Sequence, residues 1–294
     1  MHIEAHGRAR LLDWHLLGLA VILIGVAATR AHSYLLVHSL AEFFWIAVAL
    51  TTFSIAWNTR HHLDNTFLLV SGISLGPVAL IALIHTLAYK GMGVFAADAN
   101  LATQLWIASR TLDAASVLTA AMLGRRQVSA RLVLLVTTGA GATLTVLIFA
   151  GAFPDCFVEG QGLTPFKVAM EYAIMLAFTL TLLRLRQIRE LFPTTLYRLM
   201  VAATVLALAE EAAFTLYRDV YGALNLAGHL IAIVYGYLIY AGVVRYGLAN
   251  PEQALFHQLN TLNERLQDKA LRDNERAALA LEAVEGAAWE WPTD

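Results

Sequence analysis

Three histidines and a group of carboxylates stand where chemistry is expected. His38, His85 and His229, with Glu42, Glu171, Glu210 and Glu211, all fall inside long apolar stretches, each within about two turns of the same end of its stretch. A charged group surrounded by hydrocarbon costs about 3 kcal/mol or more, so such residues mark a functional site by default. Positions four apart share a helix face, which points His38 with Glu42 and Asn225 with His229. Neutral imidazoles suit a divalent transition metal such as Zn, Cu, Ni or Fe, and carboxylates serve as further ligands or orient the rings. His38, His85 and His229 are the expected metal ligands, with Glu42, Glu171 and Glu211 as ligands or supporting acceptors. Haem held by two facing imidazoles is the second choice. Carboxylates one turn from an apolar macrocycle weigh against it. A quinone or other small ligand walled by Phe43, Phe44, Trp45 or Trp106 is a further alternative. So is a hydrogen-bond network that only fixes helix packing.

A second polar group sits deeper. Arg110 lies near the middle of its stretch, with Asp113 three residues later and Trp106 four earlier on one helix face. The pair reads as an internal ion pair, as a binder of an anionic group, or as a link from the outer site to the inner half. The single cysteine, Cys156, excludes an internal disulfide and a cysteine-cluster metal site. It falls in a loop outside the membrane and reads as a spectator. No Walker motif, Ser-His-Asp order, His-Glu-x-x-His element or basic nucleic-acid patch is present. The chain is expected to have no catalytic activity of its own and no nucleic-acid partner.

The elements that position these residues are membrane spans. The 294 residues are 59% hydrophobic and 14% charged, with mean hydropathy +0.62, whereas a soluble domain carries about 25% charged residues. Hydropathy places spans at about 11–29, 34–57, 66–88, 101–123, 131–151, 165–185, 196–217 and 225–247. Placing the N-terminus inside puts eleven arginines on the cytoplasmic side, and only Arg30, Lys90, Lys167 and Arg218 flank the outer side. Both termini are then cytoplasmic, in a bacterial inner membrane. The first span resembles a signal sequence but lacks a clear cleavage motif, and reads as retained.

After Gly247 the composition changes. Pro251 suits the first turn of a helix, and Leu255, Leu259, Leu262 and Leu266 form a short coiled-coil seam. The expected fold is an all-α integral membrane bundle of eight transmembrane helices (1–250), followed by a cytoplasmic signalling helix (251–281) that pairs in a homodimer. The segment from Leu281 to Trp291 resembles the entry to a PAS domain, of which residues 282–294 would be the start.

The membrane region itself resembles the third family of membrane-associated sensor (MASE) domains. The resemblance rests on Tyr34 through Glu42, His85 through Met92, Asn100 through Arg110, Leu163 through Lys167 with Glu171 and Tyr172, Glu211 with Phe214 through Tyr217, and Asn225 through His229. It spans roughly 30–250. Membership implies the input module of a bacterial histidine kinase or diguanylate cyclase and leaves the stimulus open. Two other classes compete. An intramembrane metal- or haem-dependent enzyme would use the same residues but would not need the coiled-coil exit. A carrier would be expected to place its site near the midplane and show repeated, interrupted helices.

Overall fold

The computed structural model describes residues 2–63, 65–95, 98–216, 221–247, 263 and 266–276, without the side chains of 2–13, 15 and 243–247. Among the described residues there are eight long helices: α1 (His2–Ala28), α2 (Tyr34–Thr59), α3 (Thr66–Ala88), α4 (Ala99–Leu123), α5 (Ala130–Phe149), α6 (Pro165–Gln187), α7 (Thr194–Leu216) and α8 (Ala223–Gly247). Six of them, α2, α3, α5, α6, α7 and α8, are long and apolar enough to cross a membrane. The α4 helix is more polar, because it carries Asn100, Gln104, Arg110 and Asp113.

Local chemistry starts several helices. Asn65 Oδ1 accepts from the Leu68 amide at 3.1 Å at the head of α3. Thr164 Oγ1 accepts from the Lys167 amide at 3.2 Å, and Pro165 occupies the first turn of α6, where its missing N–H costs nothing. Asp98 caps α4 through the Asn100 amide at 2.9 Å. These caps each satisfy a donor that a helix start leaves unpaired.

Neighbouring helices close a ring. The α2 helix packs on α3, α3 on α4, α4 on α6, α6 on α7, α7 on α8, and α8 returns to α2. Outside it, α5 lies against α3 and α4, and α1 against α8 and α2. Glycines allow the closest approaches. A Cβ on Gly228 of α8 would stand 2.5 Å from the Phe214 ring of α7, and one on Gly72 of α3 would stand 2.7 Å from Ala56 of α2. One departure from all-helical structure appears in the loop before α6. There β1 (Phe157–Val158) pairs antiparallel with β2 (Gly162–Leu163), and Gly160 and Gly162 supply the positive φ angles of 78° and 89° that the turn requires.

Contacts divide the chain into two units after Gly247. In the second unit residues 266–276 are helical, with Leu266 and Leu271 exposed. The seam positions Leu255, Leu259 and Leu262, and the PAS-like segment, lie outside the described residues.

Candidate functional site

The histidine site is built by α2, α3 and α8. His38 stands one turn into α2, and its ring stacks on Tyr89 with centroids 3.6 Å apart. It meets His85 edge-on at 5.3 Å and His229 at 4.8 Å. His38 Nδ1 is 3.2 Å from His229 Nε2, so one nitrogen carries a proton and the other accepts it. His229 turns its Nδ1 to Glu42 Oε1 at 3.4 Å. His85 Nδ1 lies 2.7 Å from the Ala102 carbonyl, which fixes Nδ1–H as the donor and leaves the Nε2 lone pair to the other side of the ring. His38 Nε2, His85 Nε2, Glu42 Oε2 and Trp106 Nε1 are buried without a hydrogen-bond partner. A cavity of about 30 Å³ opens among His38, His85, Tyr89, Trp106, Asn225 and His229. That is room for an ion or one or two waters.

One ligand atom from each of His38, Glu42 and His229 lies within 4.8 Å of the others. Tetrahedral ligands on a metal with bonds of 2.0–2.1 Å stand about 3.3 Å apart. The donor types match those of a transition-metal site, at a spacing wider than a bound ion would set. His85, the third histidine of the sequence reading, lines the cavity beside this group.

The carboxylates expected to share this chamber belong instead to a second, deeper cluster. Arg110 directs Nε to Glu211 Oε1 at 2.5 Å, Nη1 to Asp113 Oδ2 at 3.0 Å and Nη2 to Glu210 Oε2 at 3.4 Å. Its guanidinium lies 5.6 Å from the Trp106 ring, 5.4 Å from Phe178 and 5.6 Å from Tyr235. Tyr235 donates its hydroxyl to Asp113 at 3.3 Å. Beside this cage, Lys167 Nζ pairs with Glu171 Oε1 at 2.6 Å and donates to the Phe214 carbonyl at 2.5 Å. The sequence reading puts Lys167 on the outer flank. It is fully buried, and its i,i+4 spacing to Glu171 was the available signal. A small gap lined by Glu42, His85, Trp106, Arg110 and Glu210 lies between the two clusters.

The mouth of the histidine site is dressed by residues at helix ends and in loops, of which the sequence reading singled out Asn225. Tyr34 donates its hydroxyl to Asn225 Oδ1 and meets Tyr221 edge-on at 5.4 Å. Lys90, on the cavity wall, pairs with Glu159, whose carboxylate raises the ammonium above its ordinary value of 10.5 and keeps it charged at neutral pH. Asn100, at the start of α4, gathers the preceding loop. Its Nδ2 donates to Asp155 at 2.8 Å, and its Oδ1 accepts from the Cys156 and Phe157 amides at 2.8 and 3.0 Å. Cys156 is thereby buried rather than exposed.

No curated protein and no solved structure matches this chain. Residues 29–251 match a family described as a membrane-associated sensor domain, MASE3. The match takes in all of α2 to α8 and every residue of both buried clusters. Covering well over half of the sequence, it establishes that the chain belongs to the MASE3 family of membrane-associated sensor domains.

Proposed function

We propose that this multi-pass membrane protein is the input module of a bacterial signalling receptor, a histidine kinase or diguanylate cyclase. In this reading it lies in the inner membrane with both termini in the cytoplasm. Its stimulus is a divalent transition-metal ion held by His38, Glu42 and His229, with His85 as a further ligand through Nε2. The carrying observation is the convergence of His38, Glu42 and His229 to within 4.8 Å, beside ring nitrogens buried without partners. A buried polar atom in this state usually has a role that the rest of the chain does not supply. The cavity of about 30 Å³ favours a bare ion over haem or a quinone.

A ligand shifts a receptor only if it binds two arrangements with different affinity. An ion held between α2 and α8 meets that requirement, because its bonds fix their spacing. A coupling of about 1–3 kcal/mol is typical, and α8 is the span that runs from His229 toward the seam leucines.

Elemental analysis and an absorption spectrum of protein purified without chelator test the reading. One metal per chain is expected, and His229→Ala should weaken binding at least about 10-fold, the smaller effect usual even for groups one shell removed from the ligands. A Soret band would select haem. No metal after soaking with Zn, Cu, Ni and Fe would defeat the proposal.

A further inference from the structure

The charges buried around Arg110 do not balance. Arg110 and Lys167 carry two positive charges, while Asp113, Glu171, Glu210 and Glu211 carry up to four negative ones, and no side chain among them is more than 3% exposed. An unpaired buried charge is strongly destabilising, and one inside a membrane more so. The cluster must therefore hold protons or a cation. Geometry indicates where. Each nitrogen of the Arg110 fork that faces the cluster already serves a different carboxylate. Lys167 serves Glu171 Oε1 and a main-chain carbonyl. Glu171 and Glu211 face each other between the packed helices α6 and α7, and Oε2 of each is buried with no hydrogen-bond partner. Two carboxyl oxygens in contact repel unless a proton lies between them.

We infer that Glu171 and Glu211 form a proton-binding site, one proton shared between their carboxyl groups and joining α6 to α7. It stands apart from the metal site and does not depend on it. Arg110 and Asp113 face the pair from α4, Lys167 from α6 and Glu210 from α7. Cys156 approaches from the loop before α6. Farther off, Tyr235 of α8 lies behind Asp113, and Glu42 of α2 lies behind Glu210. Only Arg110 and Lys167 favour ionisation, and the surplus of carboxylates outweighs them. Removing the proton sets two carboxylates against each other at the α6–α7 contact, so occupancy controls how these helices pack.

Infrared spectra of the full chain in lipid nanodiscs with chelator present provide the test. At neutral pH the wild type should show a protonated-carboxyl C=O band that shifts in D₂O. Both Glu171→Gln and Glu211→Gln should lose it, while Glu159→Gln, at an exposed ion pair, should keep it. Absence of the band, or its survival in both Gln variants, overturns the inference. Sodium-dependent stability without the band would place a cation there instead and overturn it equally. If a Gln variant does not fold, Glu171→Asp keeps the carboxyl and must shift the band, and an unshifted band overturns the assignment.

Discussion

Cys156 separates position in the chain from position in space. A lone cysteine in a loop reads as exposed, yet burial pushes this thiol from 9.0 up to about 12. The folded protein holds that proton more tightly than the unfolded chain does. Stability from the neutral thiol is present below pH 9 and is lost as pH climbs toward 12. Maleimide labelling of the native protein at neutral pH should therefore be slow and become complete on unfolding. Fast, complete labelling of native protein would contradict the burial. The thiol packs in a core cluster with Ile107, Ile174 and Phe178, while Asn100 holds the Cys156 amide across 56 residues, so no local pattern announces it. The site was legible where spacing is local. His38 with Glu42 and Arg110 with Asp113 fall on shared faces by helical periodicity alone. That Glu211 turns to Arg110 rather than to the histidines depends on how the ring places α7 opposite α4, which no spacing encodes.

At the scale of elements, hydropathy located the helices well. The span read at 66–88 is α3, Thr66–Ala88, and the 165–185 span is α6, Pro165–Gln187. The short β1–β2 hairpin was invisible, because two-residue strands have no periodicity to detect. Neighbour order was equally hidden, since every apolar stretch looks alike until side-chain shape distinguishes its faces. Gly228 shows how shape decides. Its missing Cβ lets Phe214 of α7 seat against α8, and Phe214 in turn packs on Trp106 at 4.6 Å and His229 at 5.3 Å. Gly228→Ala should destabilise the bundle by about 1–3 kcal/mol, the usual cost of overpacking, read as a fall in thermal midpoint. Adding Phe214→Leu should recover part of the loss. An unchanged midpoint would mean that α7 and α8 do not approach this closely.

For the whole molecule, the polar residues define an inside and an outside of the ring. Each of its six helices, α2, α3, α4, α6, α7 and α8, contributes buried ionisable groups to the two clusters, whereas the buried residues of α5 are Thr137, Gly141 and Ile148. In the proposed reading a signal from this ring acts on a second copy, and the leucine seam after α8 is the proposed contact. Mass measurement in detergent should find a dimer, and Leu259→Ser with Leu262→Ser should loosen it. A monomeric wild type would rule out that seam in this chain. Synthesis imposes its own order on the same ring. Glu210 follows Arg110 by 100 residues, so at about 5–20 residues per second α4 leaves the ribosome with Asp113 but seconds before Glu210 and Glu211 exist. A helix carrying a buried Arg110–Asp113 pair whose other two carboxylate partners are missing cannot simply partition into lipid during that interval. It must wait beside the insertion machinery or within a half-built bundle, which makes assembly of this sensor a matter of timing as well as of hydrophobicity.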